Sequence, residues 1–288
     1  MNKDEVKRIL QENGLHAQAK FGQNFLCDED ILNRILDVSD IRPDSRVLEI
    51  GPGIGALTST ILRTSDGSMQ YTAVEIDKKL VSYLLSKDEF ALNALIIDDD
   101  FTKLKPEDYI PYYSFNFVVS NIPYYVMTPI MKKLLTECST AEKMTFMVEE
   151  EALERICAAV GTKQYGPLAV LCASYGFVKK EFNVYPESFY PAPHTISSVI
   201  TLTRRVSLDE KDMFTISPFF GAFVDECFRM RRKTLANNLI GFLKVNNHSS
   251  SLQEQLNKLG KPIGVRAESL SPSEFVQLYK GLYPDRLI

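Results

Sequence analysis

One stretch of the sequence decides the fold: Val47-Leu48-Glu49-Ile50-Gly51-Pro52-Gly53-Ile54-Gly55-Ala56-Leu57-Thr58. It predicts a buried strand, a glycine turn and the start of a helix, in that order. Glycines let the backbone approach a ligand closely, and the N–H groups of a helix N-terminus face it. The Gly-x-Gly-x-Gly spacing departs from the Gly-x-Gly-x-x-Gly dinucleotide fingerprint, and Pro52 removes one N–H from the turn. The turn is therefore a poorer pyrophosphate cradle than a dinucleotide site, and the alternative is a tight turn without a ligand.

Further short apolar runs surround this stretch, with helical patterns between them. The runs cover residues 46–50, 71–75, 94–97, 115–119 and 144–148. Such runs predict strands of a parallel sheet that is covered on both faces. Two more candidate strands, 178–185 and 198–203, are joined by a proline-rich connection and predict an antiparallel hairpin at the sheet edge. After residue 205 the strand pattern stops, and apolar spacing near 3.6 predicts a small helical domain.

Composition limits the function classes. The chain has 288 residues, 45% of them hydrophobic, which is enough for a full core. No apolar run approaches the ~20 residues that span a bilayer, so we expect a cytoplasmic protein without a membrane helix. The five cysteines are widely spread and the three histidines do not cluster with them, which argues against structural zinc and a disulfide framework.

The net charge of −4 argues against a protein that coats nucleic acid by charge alone. The charge is uneven along the chain. Residues 1–181 hold 20 Lys/Arg and 27 Asp/Glu, a balance of −7, while residues 182–288 hold 13 and 10, a balance of +3. Nucleic-acid contacts are therefore expected to depend on the C-terminal third.

Carboxylates close the next two predicted strands, at the same sheet edge as the glycine turn. Glu75 follows Gly51 by 24 residues, where a carboxylate in this kind of fold accepts both ribose hydroxyls of a nucleoside. Asp77 is predicted to cap the helix that follows. Three aspartates, residues 98–100, end the third strand, and one of them could accept from an adenine amino group. The alternative for this triplet is a solvated acidic turn.

The fourth predicted strand ends in Ser120-Asn121-Ile122-Pro123-Tyr124-Tyr125. Asn-x-Pro-Tyr at this edge suits methyl transfer to a planar exocyclic amine, whose lone pair is delocalised into its ring. The Asn121 amide oxygen and a neighbouring backbone carbonyl can accept both amine hydrogens and free the lone pair for in-line attack. Tyr124 offers a stacking face for a base taken out of its helix. The alternative is an ordinary turn with a buried tyrosine.

These residues resemble the class I S-adenosylmethionine-dependent rRNA adenine N6-dimethyltransferases, specifically their small-subunit (KsgA-type) branch. The resemblance covers about residue 15 to the C-terminus. The motifs that carry it are FGQNFL at 21–26, EIGPGIGALT at 49–58, NIPYY at 121–125, YGPL at 165–168, RRKTL at 231–235 with NNL at 237–239, and RAESLS at 266–271. The last two favour this branch over the Erm methyltransferases, which diverge in the C-terminal domain.

The resemblance implies a Rossmann-like class I methyltransferase domain over residues 1–205, with a mostly parallel sheet and an antiparallel edge hairpin. A small all-helical RNA-binding domain is implied for residues 206–288. The implied activity transfers methyl groups from S-adenosylmethionine to N6 of two adjacent adenines in a 3′-terminal loop of 16S rRNA. The implied partner is 16S rRNA in the small ribosomal subunit or its precursor, during ribosome biogenesis, and the protein is expected to be a cytoplasmic monomer without metal.

The resemblance also implies site residues. Those of the cofactor site are Asn24, Leu26, Gly51, Gly53, Glu75, Asp99 and Asn121. The catalytic set is Asn121 with Tyr124 and Phe189, the two aromatic rings holding the target adenine between them. From its own sequence context, Phe189 is more typical of a core residue.

A basic cluster of Arg229, Arg231, Arg232 and Lys233 lies on a predicted helix and suits phosphate contacts that position RNA. The alternative is a solvated helix face, with Arg232 and Lys233 paired to acidic neighbours.

Several positions depart from the family pattern. Residues 149–151 are three glutamates, Ile196 replaces an aspartate, and Thr201 stands where an arginine is frequent. These departures keep two alternatives open: an Erm-type enzyme acting on 23S rRNA, and a non-catalytic ribosome-assembly or RNA-binding factor that kept the fold.

Overall fold

The structure is a computed structural model, and it describes residues 1–105, 115–122, 126–138, 141–205, 216–245 and 252–286. The chain forms two compact units. The first comprises Met1–Ile130, Thr140–Leu153 and Val178–Arg204, and the second comprises Met131–Ser139, Glu154–Phe177 and Arg205–Ile288. Two segments that precede residue 205 thus belong to the second unit, and the functional division at residue 205 stays a prediction.

Seven strands in the described part of the chain lie within one or two residues of the predicted runs, whereas the two-residue strands, the first and the eighth along the chain, were not predicted. The strands are β1 (Phe25–Leu26), β2 (Arg46–Ile50), β3 (Gln70–Glu75), β4 (Leu95–Asp98), β5 (Phe117–Asn121), β6 (Lys143–Glu149), β7 (Gly176–Val184), β8 (Phe189–Tyr190) and β9 (Ser197–Arg204). Seven of them form one sheet in the order β4-β3-β2-β5-β6-β9-β7. The pairs among β2 to β6 are parallel, β9 runs antiparallel to β6, and β1 pairs with β8 separately. The mostly parallel sheet with antiparallel strands at one edge is confirmed.

The central strands are buried because their sequences are apolar without alternation. Val47, Leu48 and Val119 are each at most 1% exposed, as expected for strands covered on both faces. The register pairs Ile50 with Val74 and Glu75 with Asp98, so the carboxyl ends of β2, β3 and β4 lie side by side. Ligands of open α/β sheets bind outside these ends.

The helices that include residues of the first unit are α1 (Lys3–Glu12), α2 (Glu29–Ser39), α3 (Ala56–Leu62), α4 (Lys78–Leu85), α5 (Asp88–Asn93), α6 (Met127–Glu137) and α7 (Glu150–Ile156). Their starts follow the capping residues of the sequence. Asp28 accepts from Ile31 N–H at the start of α2, and Asp77 accepts from Lys79 N–H at the start of α4. The capping role predicted for Asp77 is confirmed.

The second unit contains α8 (Pro167–Tyr175), α9 (Pro218–Phe228), α10 (Leu235–Val245), α11 (Leu252–Lys258) and α12 (Pro272–Leu282). Aromatic rings pack at its centre, with Phe220 and Tyr279 edge to face at 5.1 Å between centroids. The helical character predicted beyond residue 205 is confirmed for the residues that the structure describes there. In those ranges and elsewhere in the described chain, no helix combines the length and the apolar character needed to cross a bilayer.

Candidate active site

A cavity of about 280 Å³ opens at the carboxyl ends of β2, β3, β4 and β5 in the first unit. Residues 21–26 form a further part of its wall. The residues assigned to the cofactor from the sequence all line this cavity: Asn24, Leu26, Gly51, Gly53, Glu75, Asp99 and Asn121. The fold therefore brings together segments that are up to 97 residues apart in sequence, as between Asn24 and Asn121.

The three glycines of the turn have positive φ angles but different surroundings. A Cβ added to Gly51, with φ +71°, would meet no atom within 4 Å, so this glycine borders open space. A Cβ on Gly53 would approach the Phe25 ring to 3.3 Å, and one on Gly55 would collide with the Phe90 ring. Gly51 therefore leaves room for a ligand, Gly53 is crowded by the Phe25 ring, and Gly55 has no room for a side chain beside Phe90.

Glu75 presents a buried carboxylate to the cavity. It is 4% exposed, its Oε2 accepts from Gly53 N–H at 3.0 Å, and its Oε1 accepts from Asp77 N–H at 2.9 Å. Burial raises the pKa of this carboxyl, while the backbone hydrogen bonds act in the opposite direction. A carboxylate has about four acceptor positions, so roughly two remain for hydroxyl donors such as those of a ribose.

Glu49 is a second buried carboxylate of this wall, to which the sequence analysis assigned no role. It is 2% exposed and lines the cavity. Its Oε2 accepts from Thr58 Oγ1 at 2.6 Å and from Tyr71 OH at 2.8 Å, whereas no described residue donates to its Oε1. Burial raises the pKa of the Glu49 carboxyl to about 7, although the two hydroxyl donors lower it. The sequence did indicate such a role, because a single glutamate inside an apolar strand is a buried charged group that needs a hydrogen-bond or ionic partner.

The three aspartates at the end of β4 have different surroundings. Asp99 and Asp100 both line the cavity, but Asp100 accepts from Thr102 N–H at 3.0 Å and pairs with Lys103 at 3.1 Å. Asp100 is thus occupied by its own turn, and Asp98 is not among the residues that line the cavity.

Two apolar side chains of the wall were also missed from the sequence. Ile76 lines the cavity and is 40% exposed, and Phe101 lines it and is 8% exposed. Both contribute apolar surface to the cavity that Asp99 also lines. The signal for Ile76 was its position directly after Glu75.

Asn121 is held in one orientation at the cavity edge. Its Nδ2 donates to the backbone carbonyl of Asn24 at 3.3 Å, and Asn24 Nδ2 lies 3.4 Å from the carbonyl of Gly22. Since Nδ2 is the donor atom of an amide, this bond leaves Oδ1 as the free acceptor, and no described residue donates to it. Tyr124 lies outside the described residues.

Phe189 has a different environment from that expected of a base-stacking ring. It is 1% exposed, pairs with Leu26 between β1 and β8, and belongs to the core cluster that includes Met147 and Val199. It does not line the cavity in this structure. Its stacking role stays a prediction, and its burial agrees with the core character of its sequence context.

The basic cluster does not lie on a helix, so that prediction is wrong. Helix α9 ends at Phe228, because the chain turns at residues 229–233 before α10 begins. Arg229 pairs with Glu226 at 3.3 Å, and Arg231 pairs with Glu268 at 3.3 Å while donating to the carbonyls of residues 162 and 163.

Arg232 and Lys233 are exposed and form no ion pair with the residues that the structure describes. The acidic pairing expected for these two residues occurs instead at Arg229 and Arg231. Two cations of the turn are therefore available to an external anion. A group of His, Cys, Asp or Glu side chains suited to a metal ion is absent from the described residues.

The comparisons with known proteins agree with this arrangement. The family described as "Ribosomal RNA adenine dimethylase" matches residues 14–282. The Ribosomal RNA small subunit methyltransferase A of Legionella pneumophila is 39% identical over 273 residues, which cover 91% of this chain and 96% of the relative. The protein of the same name from Natranaerobius thermophilus is 32% identical and covers 97% of this chain and 96% of the relative.

Two solved structures share the fold over most of their length. A dimethyladenosine transferase from Plasmodium falciparum has a TM-score of 0.65 at 22% identity, covering 91% of this chain and 98% of that one. The 23S rRNA methyltransferase ErmE has a TM-score of 0.57 at 25% identity, covering 90% and 99%. Both likenesses extend beyond the parallel sheet, since they cover nine tenths or more of this chain.

Proposed function

Because this chain belongs to the ribosomal RNA adenine dimethylase family, we propose that it dimethylates N6 of two adjacent adenines in a 3′-terminal loop of 16S rRNA. The methyl donor of this class I methyltransferase is S-adenosylmethionine. The observation that best supports the reaction is the Asn121 amide, whose Nδ2 is engaged and whose Oδ1 is free at the cavity edge. The proteins named small subunit methyltransferase A, at 32–39% identity, favour small-subunit rRNA over 23S rRNA as the substrate.

The cavity fits the cofactor in shape and in chemistry. Gly51 leaves open space where a side chain would stand, and Glu75 keeps acceptor positions for ribose hydroxyls. Asp99, beside Ile76 and Phe101, provides an acceptor for an adenine amino group next to an apolar surface. When bound, S-adenosylmethionine supplies an electrophilic methyl group on a cationic sulfur. Glu49 would add a negative charge to the same cavity.

Asn121 would act on the target base rather than on the donor. The lone pair of an adenine N6 amine is delocalised into the ring, which makes the amine a poor nucleophile. Accepting an amine hydrogen at Asn121 Oδ1 favours a tetrahedral nitrogen whose lone pair is available for in-line attack. A strong base is not required, because the amine proton can leave after methyl transfer. Tyr124 and Phe189 are proposed to hold the flipped base by stacking.

The proposed partner is the small ribosomal subunit or its precursor, on which the protein would act as a cytoplasmic monomer. Specific recognition of RNA favours single-stranded loops, whose bases can be splayed out at low cost. Arg232 and Lys233 would contact phosphates and position the loop without reading its sequence.

Methyl transfer to defined RNA tests this function. The chain is incubated with labelled S-adenosylmethionine and either unmethylated small-subunit particles or large-subunit particles, and the modified nucleosides are identified by mass spectrometry. We expect N6,N6-dimethyladenosine at two adjacent positions of 16S rRNA. Modification of 23S rRNA alone would support the Erm-type activity, and cofactor binding without transfer to either RNA would support the assembly-factor alternative.

A further inference from the structure

Asp77 performs a second task besides capping α4. The residue is 5% exposed, and its Oδ1 accepts from Lys79 N–H at 3.1 Å as the helix cap. Its Oδ2 accepts from two side-chain amides, Gln18 Nε2 at 2.5 Å and Gln23 Nε2 at 3.0 Å. Hydrogen bonds to a charged acceptor are roughly twice as strong as neutral ones. We name Asp77, Gln18 and Gln23 the Asp77 clasp.

The clasp holds a segment that has little regular secondary structure. Residues 18–24 contain only a short 3-10 turn, Ala19–Phe21, and strand pairing begins at Phe25. Within the segment, Gln18 N–H donates to Gln23 Oε1 at 2.8 Å. Residues 18–24 are joined to the carboxyl ends of the strands by the two amides that reach Asp77 and by the bond from Asn121 Nδ2 to the Asn24 carbonyl.

The same segment contacts the reacting end of the cavity. The backbone carbonyl of Asn24, directly after Gln23, accepts from Asn121 Nδ2 at 3.3 Å and so leaves Asn121 Oδ1 as the acceptor. Residues 21–26 also line the cavity. Two sets of hydrogen bonds, at Asp77 after β3 and at Asn121 at the end of β5, are thus linked by the backbone from Gln23 to Asn24.

We propose that Asp77, Gln18 and Gln23 are positioning residues: the clasp fixes residues 18–24 so that they close the cofactor cavity and hold the Asn121 amide in its reactive orientation. This inference rests on the proposed function for the role of Asn121. The effect of the clasp on cofactor binding does not rest on it, because displacement of residues 18–24 would lower the affinity for the cofactor whichever RNA is modified.

The variant Asp77→Asn separates the clasp from the helix cap. Asparagine caps a helix about as well as aspartate, so α4 keeps its cap. The amide nitrogen that replaces Oδ2 cannot accept from Gln18 Nε2 or Gln23 Nε2, so both bonds of the clasp are lost in their present form. Gln18 can turn its amide oxygen toward the new donor, but Gln23 can do so only by giving up the bond from Gln18 N–H. Titration of the full chain with S-adenosylhomocysteine should show affinity about tenfold lower, and kcat on small-subunit particles should fall by about tenfold with little change in the KM for RNA.

Asp28→Asn is a matched control in the same unit. Asp28 caps α2 through Ile31 N–H and accepts from the Ser188 hydroxyl at 2.8 Å, which can rotate and accept from an amide instead. Since Asp28 does not line the cavity, this variant should match the parent in affinity and in kcat. Gln18→Met removes one clasp donor while leaving both caps intact, and it should weaken S-adenosylhomocysteine binding by several-fold.

A compensating pair distinguishes positioning from general damage. In the double variant Asp77→Asn, Gln23→Glu, a carboxylate on the segment can accept from the new amide and still accept from Gln18 N–H. We expect it to recover most of the affinity and of kcat. Parent-like affinity in Asp77→Asn and Gln18→Met, or a double variant no better than Asp77→Asn, would overturn the proposal. If the parent methylates no small-subunit rRNA, the proposed function fails, while the binding measurements still decide the clasp.

Discussion

Replacing Glu49 by Gln should stabilise the folded protein at alkaline pH and lower its affinity for S-adenosylmethionine. The pKa of Glu49 is raised from 4.5 to about 7, with burial as the largest cause. Since one pKa unit corresponds to 1.36 kcal/mol, ionising this carboxyl costs about 3 kcal/mol more in the folded protein than in the unfolded chain. Glutamine keeps the size and an acceptor oxygen for Thr58 and Tyr71 but carries no charge to be buried.

The direction of the effect follows from which state binds the proton more tightly. Because the pKa of Glu49 is raised on folding, its stabilising contribution is fully present below about pH 4.5 and is lost as the pH rises through about 7. Above that pH the loss is complete and constant. Relative to Glu49→Gln, the parent should therefore lose about 2.5 kcal/mol of unfolding free energy between pH 5 and pH 8.

Urea unfolding of both proteins without cofactor, at pH 5, 6, 7 and 8, measures this difference. Every other titrating group is present in both proteins, so the difference between their curves reports residue 49 together with its electrostatic coupling to Glu75. Curves that stay parallel within about 0.5 kcal/mol would refute the reasoning, because Glu49 would then ionise as it does in the unfolded chain.

The same pair of proteins should behave in the opposite way toward the cofactor. A cationic ligand favours the ionised form of Glu49, so the affinity of the parent for S-adenosylmethionine should decrease below about pH 7 as this carboxyl takes up a proton. The variant Glu49→Gln lacks this carboxylate. Its affinity for S-adenosylmethionine should therefore be lower than that of the parent at pH 8 and should depend less on pH. Calorimetric titration at each pH provides the comparison.

Three further predictions concern the cofactor, the chemistry and the RNA. Glu75→Gln should weaken S-adenosylmethionine binding by about 1.5–3 kcal/mol in calorimetric titration, and an unchanged affinity would remove the ribose assignment. Asn121→Ala should lower turnover on the order of 10²-fold while cofactor affinity stays within a few-fold, and activity within about threefold of the parent would contradict the mechanism. Arg232→Ala with Lys233→Ala should reduce the salt slope of RNA binding by up to about 2, whereas Arg231→Ala should mainly lower the melting temperature; an unchanged slope in the double variant would place the RNA surface elsewhere.

The strands of the sheet could be predicted from the sequence because each is a short apolar run closed by polar residues. The predicted run 46–50 coincides with β2, and the others differ at their ends by one or two residues. Continuous apolarity indicates burial on both faces, as in a parallel sheet that has helices on both sides. The basic cluster was placed on a helix because its neighbours are helical, but Arg229 to Lys233 contain no apolar face that packing could hold.

The site could be predicted for those residues whose location follows from the end of a strand alone. Glu75 and Asn121 each close a strand, and their positions follow from the topology. Gln18 and Gln23 could not be assigned, because their partner Asp77 lies more than 50 residues away and only the folded chain brings the three together. Phe189 shows the reverse problem, since a motif identifies the residue but not whether its ring faces a core or a cavity.

The departures from the family pattern are largely compensated within the first unit. Glu150 pairs with Lys180 at 2.7 Å and accepts from Ser198, while Glu149 accepts from Thr195 Oγ1 at 3.0 Å. Two of the three glutamates at 149–151 are therefore engaged by their neighbours.

Thr201, where an arginine is frequent, is 1% exposed and donates to Glu181 at 2.8 Å. Glu181 also pairs with Lys179 at 2.7 Å. The neutral Thr201 hydroxyl therefore donates to a carboxylate that already has a cationic partner. A buried arginine beside that ion pair would have to be desolvated, whereas a threonine hydroxyl needs only one partner. The substitution thus removes a positive charge without leaving a buried carboxylate unpaired. Electrostatic attraction for RNA must then come from exposed cations without acidic partners, and in the described part of the basic turn these are Arg232 and Lys233.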